Sequence, residues 1–242
     1  MHALLRGVAG AGLALALAAP AGAQGWQCRA PSVLPRSEAV SRPPDAPVRR
    51  VPIGGYILSL SWSPEYCRTR KTSMRDALQC SGRMGEFGFI LHGLWPQGRG
   101  RVPWPQYCRP VSAVPPATLR ANICHMPSVS LVNHEWAKHG TCMAGYRPDS
   151  YFARSTGLYA RLRYPDMYAL SRDPLTAGGL AQAVAKANPG LDADMMRVTA
   201  DRQGWLDEIW ICLDTAFRYR RCPAHQGGVA PAAAIKIWRG AR

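Results

Sequence analysis

The chain lacks the marks of several large protein classes. Its one long apolar run, Val8 to Ala19, is too short to cross a bilayer as a stable helix, so no membrane insertion is expected. There is no Cys-x-x-Cys pair or other tight ligand cluster, which disfavours zinc, and no metal or other cofactor is expected. Internal repeats are absent. Acids are scarce, with 15 Asp and Glu against 30 Lys and Arg in 242 residues, a formal net charge of +15. Lysine is scarcer still, at 4 residues against 26 arginines. That balance favours polyanionic partners and bidentate phosphate contacts, although charge alone also fits a binder of membrane surfaces or polysaccharide.

Met1 to Ala23 carries Arg6, the apolar run and an Ala21-Gly22-Ala23 ending, which reads as a signal peptide cut before Gln24. The remaining 219 residues suffice for one sizeable core. All eight cysteines lie in this part, and an even count in an exported chain points to four disulfides, with 105 formal pairings open. A periplasmic or extracellular location follows as the expectation. Residues 24–51 are rich in Pro and Arg with little apolar periodicity and read as an extended arm, pinned through Cys28; residues 52–242 form the expected single folded domain.

Tyr56 to Trp62 alternates apolar and polar residues as a strand does, and Trp205 to Leu213 reads as a buried strand, with Ile235 to Trp238 as a last one. Gly85 to Leu91 reads as a strand that ends at His92, followed by a loop marked by Pro96, Gly98 and Gly100. Pro115 to Cys124, Ser150 to Tyr164 and Thr176 to Ala187 read as helices. Strands and helices are not regularly interleaved. The expected fold is therefore α+β, a single disulfide-bonded domain with a central antiparallel sheet flanked by helices.

Two stretches concentrate the chemistry. Residues His134 to His139 read His-Glu-Trp-Ala-Lys-His, and about forty residues earlier stands Phe89-Ile90-Leu91-His92-Gly93-Leu94-Trp95-Pro96. On a helix His134, Glu135, Lys138 and His139 fall at roughly 0°, 100°, 40° and 140°, on one face, with Trp136 turned to the core. Glu135 beside His139 would favour its charged form, and Lys138 beside His134 would disfavour charge there. The two histidines are five residues apart, one more than the zinc-protease His-Glu-x-x-His signature requires. A solvated polar helix face fits the same residues equally well. Trp95, near His92, offers a flat face on which a nucleobase can stack.

These two segments resemble the active-site segments of the ribonuclease T2 family, secreted endoribonucleases of the cyclising type. The likeness extends to Leu60-Ser61-Trp62-Ser63-Pro64 with Cys67, to Ile209-Trp210-Ile211-Cys212-Leu213-Asp214 and to Cys222-Pro223, roughly residues 52 to 223. It implies that His139 is the general base toward a ribose 2′-hydroxyl and His92 the general acid toward the departing 5′-oxygen. By the same resemblance Glu135 and Lys138 stabilise the transition state, His134 holds the phosphate, and single-stranded RNA is the partner of a monomeric enzyme. Cys108–Cys142 and Cys212–Cys222 are also implied by the family; Cys67–Cys80 would close a local loop, and Cys28–Cys124 is the pair that remains. Two residues past Trp95 the family can carry a carboxylate that reads adenine. Here it is Gln97, which fits broad base specificity and equally a solvated loop amide. A catalytically inactive RNA-binding or surface-binding relative is the alternative reading.

Overall fold

A computed structural model describes residues 28–240. The expected signal peptide, residues 1–23, lies outside the described residues. Among the described residues six strands run β1 Ile53–Trp62, β2 Phe89–Gly98, β3 Leu175–Thr176, β4 Met196–Ala200, β5 Leu206–Leu213 and β6 Ala234–Ile235. The helices are α1 Ser63–Tyr66, α2 Ala77–Cys80, α3 Pro116–Asn122, α4 Val129–Lys138, α5 Pro148–Tyr159, α6 Met167–Leu170 and α7 Ala177–Ala187. Four strands form one antiparallel sheet in the order β2-β1-β5-β4, and β3 pairs with β6. The fold is α+β, with a central antiparallel sheet flanked by helices. No helix among the described residues is long and apolar enough to cross a membrane.

Alternation along β1 sets the register of the sheet. Tyr56, Leu58, Leu60 and Trp62 enter the main apolar cluster with Leu91, Leu94, Ile209 and Ile211, while Ser59 and Ser61 point to the opposite face. Sliding β1 by one residue would expel Leu58 and Leu60, forfeiting roughly 1.5–3 kcal/mol for each. The core therefore fixes which residues of β5 stand beside the serines: Ser59 faces Trp210 and Ser61 faces Glu208.

The sequence pattern predicts a strand ending at His92 and a loop beyond it. Instead β2 runs through His92 to Gly98. Pro96 is tolerated inside it because β2 is an edge strand, where a missing N–H breaks no ladder on the open side. Its open edge is covered from α5 and from the turn before α4. Tyr159 Oη donates to Phe89 O at 2.8 Å, Tyr151 Oη donates to Leu94 O at 3.0 Å, and Leu91 N donates to His125 O at 2.9 Å. These bonds protect the edge and clamp the strand on both sides of His92.

Other boundaries moved less. Helix α5 begins at Pro148, in the first turn where proline is accommodated, and stops at Tyr159. Thr176 caps α7 by accepting from Gly179 N at 3.0 Å, and Ser128 caps α4 by accepting from Leu131 N at 3.2 Å. The final strand shrinks to Ala234–Ile235. Four disulfides join Cys28–Cys124, Cys67–Cys80, Cys108–Cys142 and Cys212–Cys222. The first pins the N-terminal arm, which is also held by Arg49 pairing with Gln106 and by Ser37 Oγ donating to Val114 O.

Candidate active site

A β-bulge places His92. Ser59 of β1 stands opposite Gly93 and Leu60 opposite Leu91, so β2 has one residue more than β1 at this point. Leu91 and Leu94 consequently both face the core, and His92 and Gly93 between them both face the other side, with Ser59, Ser61 and Glu208. Bulges commonly re-aim side chains in this way.

Glu135 reaches this surface from α4, and Gly93 makes room for it. A Cβ on Gly93 would fall 1.9 Å from Glu135 Oε2 and 2.6 Å from its Cδ. The carboxylate, 1% exposed, accepts from Trp95 Nε1 at 2.7 Å and lies 3.6 Å from His92 Nε2. The expected contact of Glu135 with His139 is thus replaced by contacts with Trp95 and His92. Helix α4 ends at Lys138, and His139 leaves it as the capping residue at φ −111°, so the ideal helical projection stops short of it. The imidazole of His139 lies instead on the indole of Trp95, with centroids 5.5 Å apart and planes at 25°. His92 meets the same indole edge-on at 5.1 Å. Both imidazoles therefore flank one tryptophan.

The end of α4 is secured by its surroundings. Tyr107, at φ +50°, donates its N–H to Lys138 O at 2.8 Å, satisfying one of the terminal carbonyls of the helix. Cys108–Cys142 and the bond from Cys108 N to Thr141 Oγ1 at 3.1 Å tie the same loop to the turn after His139. His134 and Lys138 are half-buried on α4. Gln97 lies near the end of β2, where its amide donates to Trp95 O at 3.3 Å.

The electrostatics separate the two imidazoles. Burial alone would lower the pKa of His92, but a hydrogen bond to Glu208 and the charges of Glu135, Glu208 and Asp207 outweigh it and push the value up to about 9. His139 goes the other way, well below the usual histidine range, through burial and then the charges of Lys138, His134 and His92. Its Nδ1 is buried with no hydrogen-bond partner among the described residues. His134 is lowered to about 4 by burial and then Lys138, the direction the sequence suggested. Burial raises Glu135 to about 7 against the opposing pull of His92, Trp95 and Lys138.

Sequence reasoning overlooked Glu208. It stands in β5, 7% exposed, and accepts from Ser59 Oγ at 3.2 Å, Ser61 Oγ at 2.6 Å and Trp210 Nε1 at 2.6 Å, besides the short contact with His92 Nδ1. The available signal was the acidic pair Asp207-Glu208 at the start of a strand whose remaining residues are apolar. Among the described residues, no group of three His, Cys, Asp or Glu is arranged to hold a metal ion.

The chain carrying this site resembles several known proteins. Residues 53–222 match the family model described as Ribonuclease T2 family. A "Probable ribonuclease" of Haemophilus influenzae is 32% identical over 183 residues, 72% of this chain and 62% of the relative. A "Ribonuclease" of Aeromonas hydrophila is 36% identical over 166 residues, 66% of this chain and 71% of the relative. Among solved structures, trichomaglin, described as a novel S-like ribonuclease, superposes with a TM-score of 0.61 at 18% identity, covering 76% of this chain and 97% of that one. RNase NT, solved in complex with 5′-AMP, gives 0.57 at 21% identity over 77% and 98% of the two chains. The chain spans 62% of the length of the first of these relatives, and its match to the family model takes in the whole main sheet and both histidine segments. On these grounds the chain belongs to the Ribonuclease T2 family.

Proposed function

We propose that this chain is a metal-independent endoribonuclease that cuts single-stranded RNA by attack of the ribose 2′-hydroxyl on the adjacent phosphorus. The observation that carries the reading is the opposite displacement of two imidazoles packed against one indole, His92 upward and His139 downward. Environments that drive two like groups apart assign acid and base roles. His139, neutral at neutral pH, accepts the proton of the 2′-hydroxyl as its oxygen bonds to phosphorus. The bond from phosphorus to the 5′-oxygen then breaks, and His92 protonates the departing oxygen through Nε2, its Nδ1 being engaged with Glu208. The products are a 2′,3′-cyclic phosphate and a free 5′-hydroxyl. In a slower second step water opens the ring to a 3′-phosphate, with the two imidazoles exchanging roles.

Lys138 and Glu135 act on the phosphorane-like transition state, and His134 holds the phosphate. Trp95 and Gln97 line the same end of β2 and supply substrate contacts. With an amide and not a carboxylate at Gln97, base preference is broad. The formal charge of +15 favours association with RNA in a salt-dependent way. Four disulfides and the signal-like N-terminus support work in an oxidising compartment, the periplasm or outside the cell. The working unit is a monomer.

The test is release of acid-soluble fragments from RNA with EDTA present. His92→Ala and His139→Ala should each lose at least ~10²–10⁴ in rate while RNA affinity stays near that of the unmodified protein. A 2′-deoxy substrate should bind and stay intact. Comparable cleavage of the deoxy substrate would rule out the internal nucleophile, and an inactive parent protein would favour the alternative of an RNA-binding relative without catalysis.

A further inference from the structure

We infer that Glu208 is a positioning residue for the general acid: it takes Nδ1–H of His92 on a fixed carboxylate, which aims Nε2–H at the leaving oxygen and keeps the imidazole cationic between turnovers. The inference rests on the reading of His92 as the acid. It starts from where the carboxylate stands. Glu208 lies in β5, a central strand of the main sheet, and only 7% of it is exposed. Oε2 accepts from Ser59 and Trp210, and Oε1 accepts from Ser61 and His92. Three of these four donors are neutral, and the salt bridges among the described residues pair Glu208 with His92 alone. A carboxylate withdrawn from water needs a positive partner. His92 is that partner, so a neutral His92 would leave Glu208 buried without a countercharge.

The surrounding groups distinguish this role from a merely structural one. From α4, Glu135 also favours a cationic His92, whereas His134, His139 and Lys138 share the same site and stand against further positive charge. From β5, Asp207 adds a weaker negative contribution from the exposed side. Of these charged groups only Glu208 bonds to the ring itself; Ser61 Oγ lies 3.1 Å from the same Nδ1 and donates to Glu208 Oε1, and the carboxylate is locked by two hydroxyls and an indole. Those hydroxyls belong to Ser59 and Ser61, the residues that the β1 register brings opposite Trp210 and Glu208. Proton flow is consistent throughout the cycle. The Nε2 proton goes to the 5′-oxygen, Nδ1 keeps its proton and donates it in the hydrogen bond to Glu208, and the freed Nε2 lone pair can take a proton from the water that opens the cyclic phosphate.

The experiment compares the unmodified protein with Glu208→Gln, which keeps the shape and an acceptor oxygen for Trp210, and with Glu208→Ala. Two readouts are taken: the pH dependence of kcat/KM on a dinucleoside monophosphate, and the titration of the His92 ring followed by NMR. The basic limb, near 9 in the unmodified protein, should move to the ordinary histidine value or below. By proton occupancy that is a loss of about 30-fold or more at pH 8 and under about 2-fold at pH 5.5. The NMR titration of His92 should fall in parallel. An equal loss at every pH with an unmoved His92 titration would overturn the inference and leave a structural Glu208. The NMR arm does not need turnover, so if the unmodified protein cut no RNA, a falling His92 titration in the variants would uphold the coupling while the reading of His92 as the acid fails.

Discussion

Gly93→Ala is a severe test of the site because it adds one methyl group at the point where helix and strand meet. The new Cβ would lie 1.9 Å from Glu135 Oε2, 2.6 Å from Cδ and 2.7 Å from Trp95 Nε1. An overlap with the carboxylate carbon cannot stand, so the Glu135 side chain must swing out of its buried place or the strand must move. If Glu135 leaves, its bond from Trp95 at 2.7 Å and its approach to His92 are lost. Overpacking a tight site costs about 1–3 kcal/mol, and losing a hydrogen bond to a charged group about 1.5–3 kcal/mol. Together these imply about 2.5–6 kcal/mol, or a fall in Tm of roughly 5–24 °C for a domain of this size. Activity measured well below Tm should drop by about 10²–10³, the scale of losing one preorganised polar group from a transition state. Gly157→Ala is the control. It sits on the exposed side of α5 with nothing within 4 Å of its Cβ, and should raise stability by about 0.5–1 kcal/mol with unchanged activity. A Gly93→Ala protein with the parent's Tm and turnover would refute the placement of Glu135 against β2.

Three further outcomes are expected. The pH–rate profile in EDTA should be bell-shaped: activity falls on the acid side, below the usual histidine range, as His139 becomes protonated, and on the alkaline side near pH 9 as His92 loses its proton. An alkaline limb near 6 would contradict the roles assigned. His134→Ala should raise KM by roughly tenfold or more, the scale of a lost bond to a charged group, with kcat little changed in steady-state assays. Replacing Cys28 and Cys124 together by serine removes a bridge between residues 96 apart, and should cost about 2–5 kcal/mol in denaturant unfolding while the specific activity of the folded fraction persists.

Several parts of the molecule were legible in the residues alone. Alternation in Tyr56 to Trp62 gave a strand and its buried side, because period-two patterning follows directly from backbone geometry. Thr176 and Asn188 bounded α7, since caps are local interactions. His92 and the His134 to His139 stretch were identifiable as chemical residues from their types and spacing. The continuation of β2 through Pro96 was not legible, because only strand order reveals that β2 is an edge.

Glu135 turning from His139 to Trp95 and His92 also lay beyond local reasoning. Helical angles hold only while the helix lasts, and α4 ends one residue before His139. Glu208 is 116 residues from its histidine along the chain and meets it across two strand pairings, one of them bulged. The sequence by itself determined which groups were available and the local elements that carry them. Tertiary structure alone decided which carboxylate faces which imidazole, and hence which ring holds a proton at neutral pH. The reason is that burial and charge act through space, over a few ångströms, between residues that the chain keeps far apart.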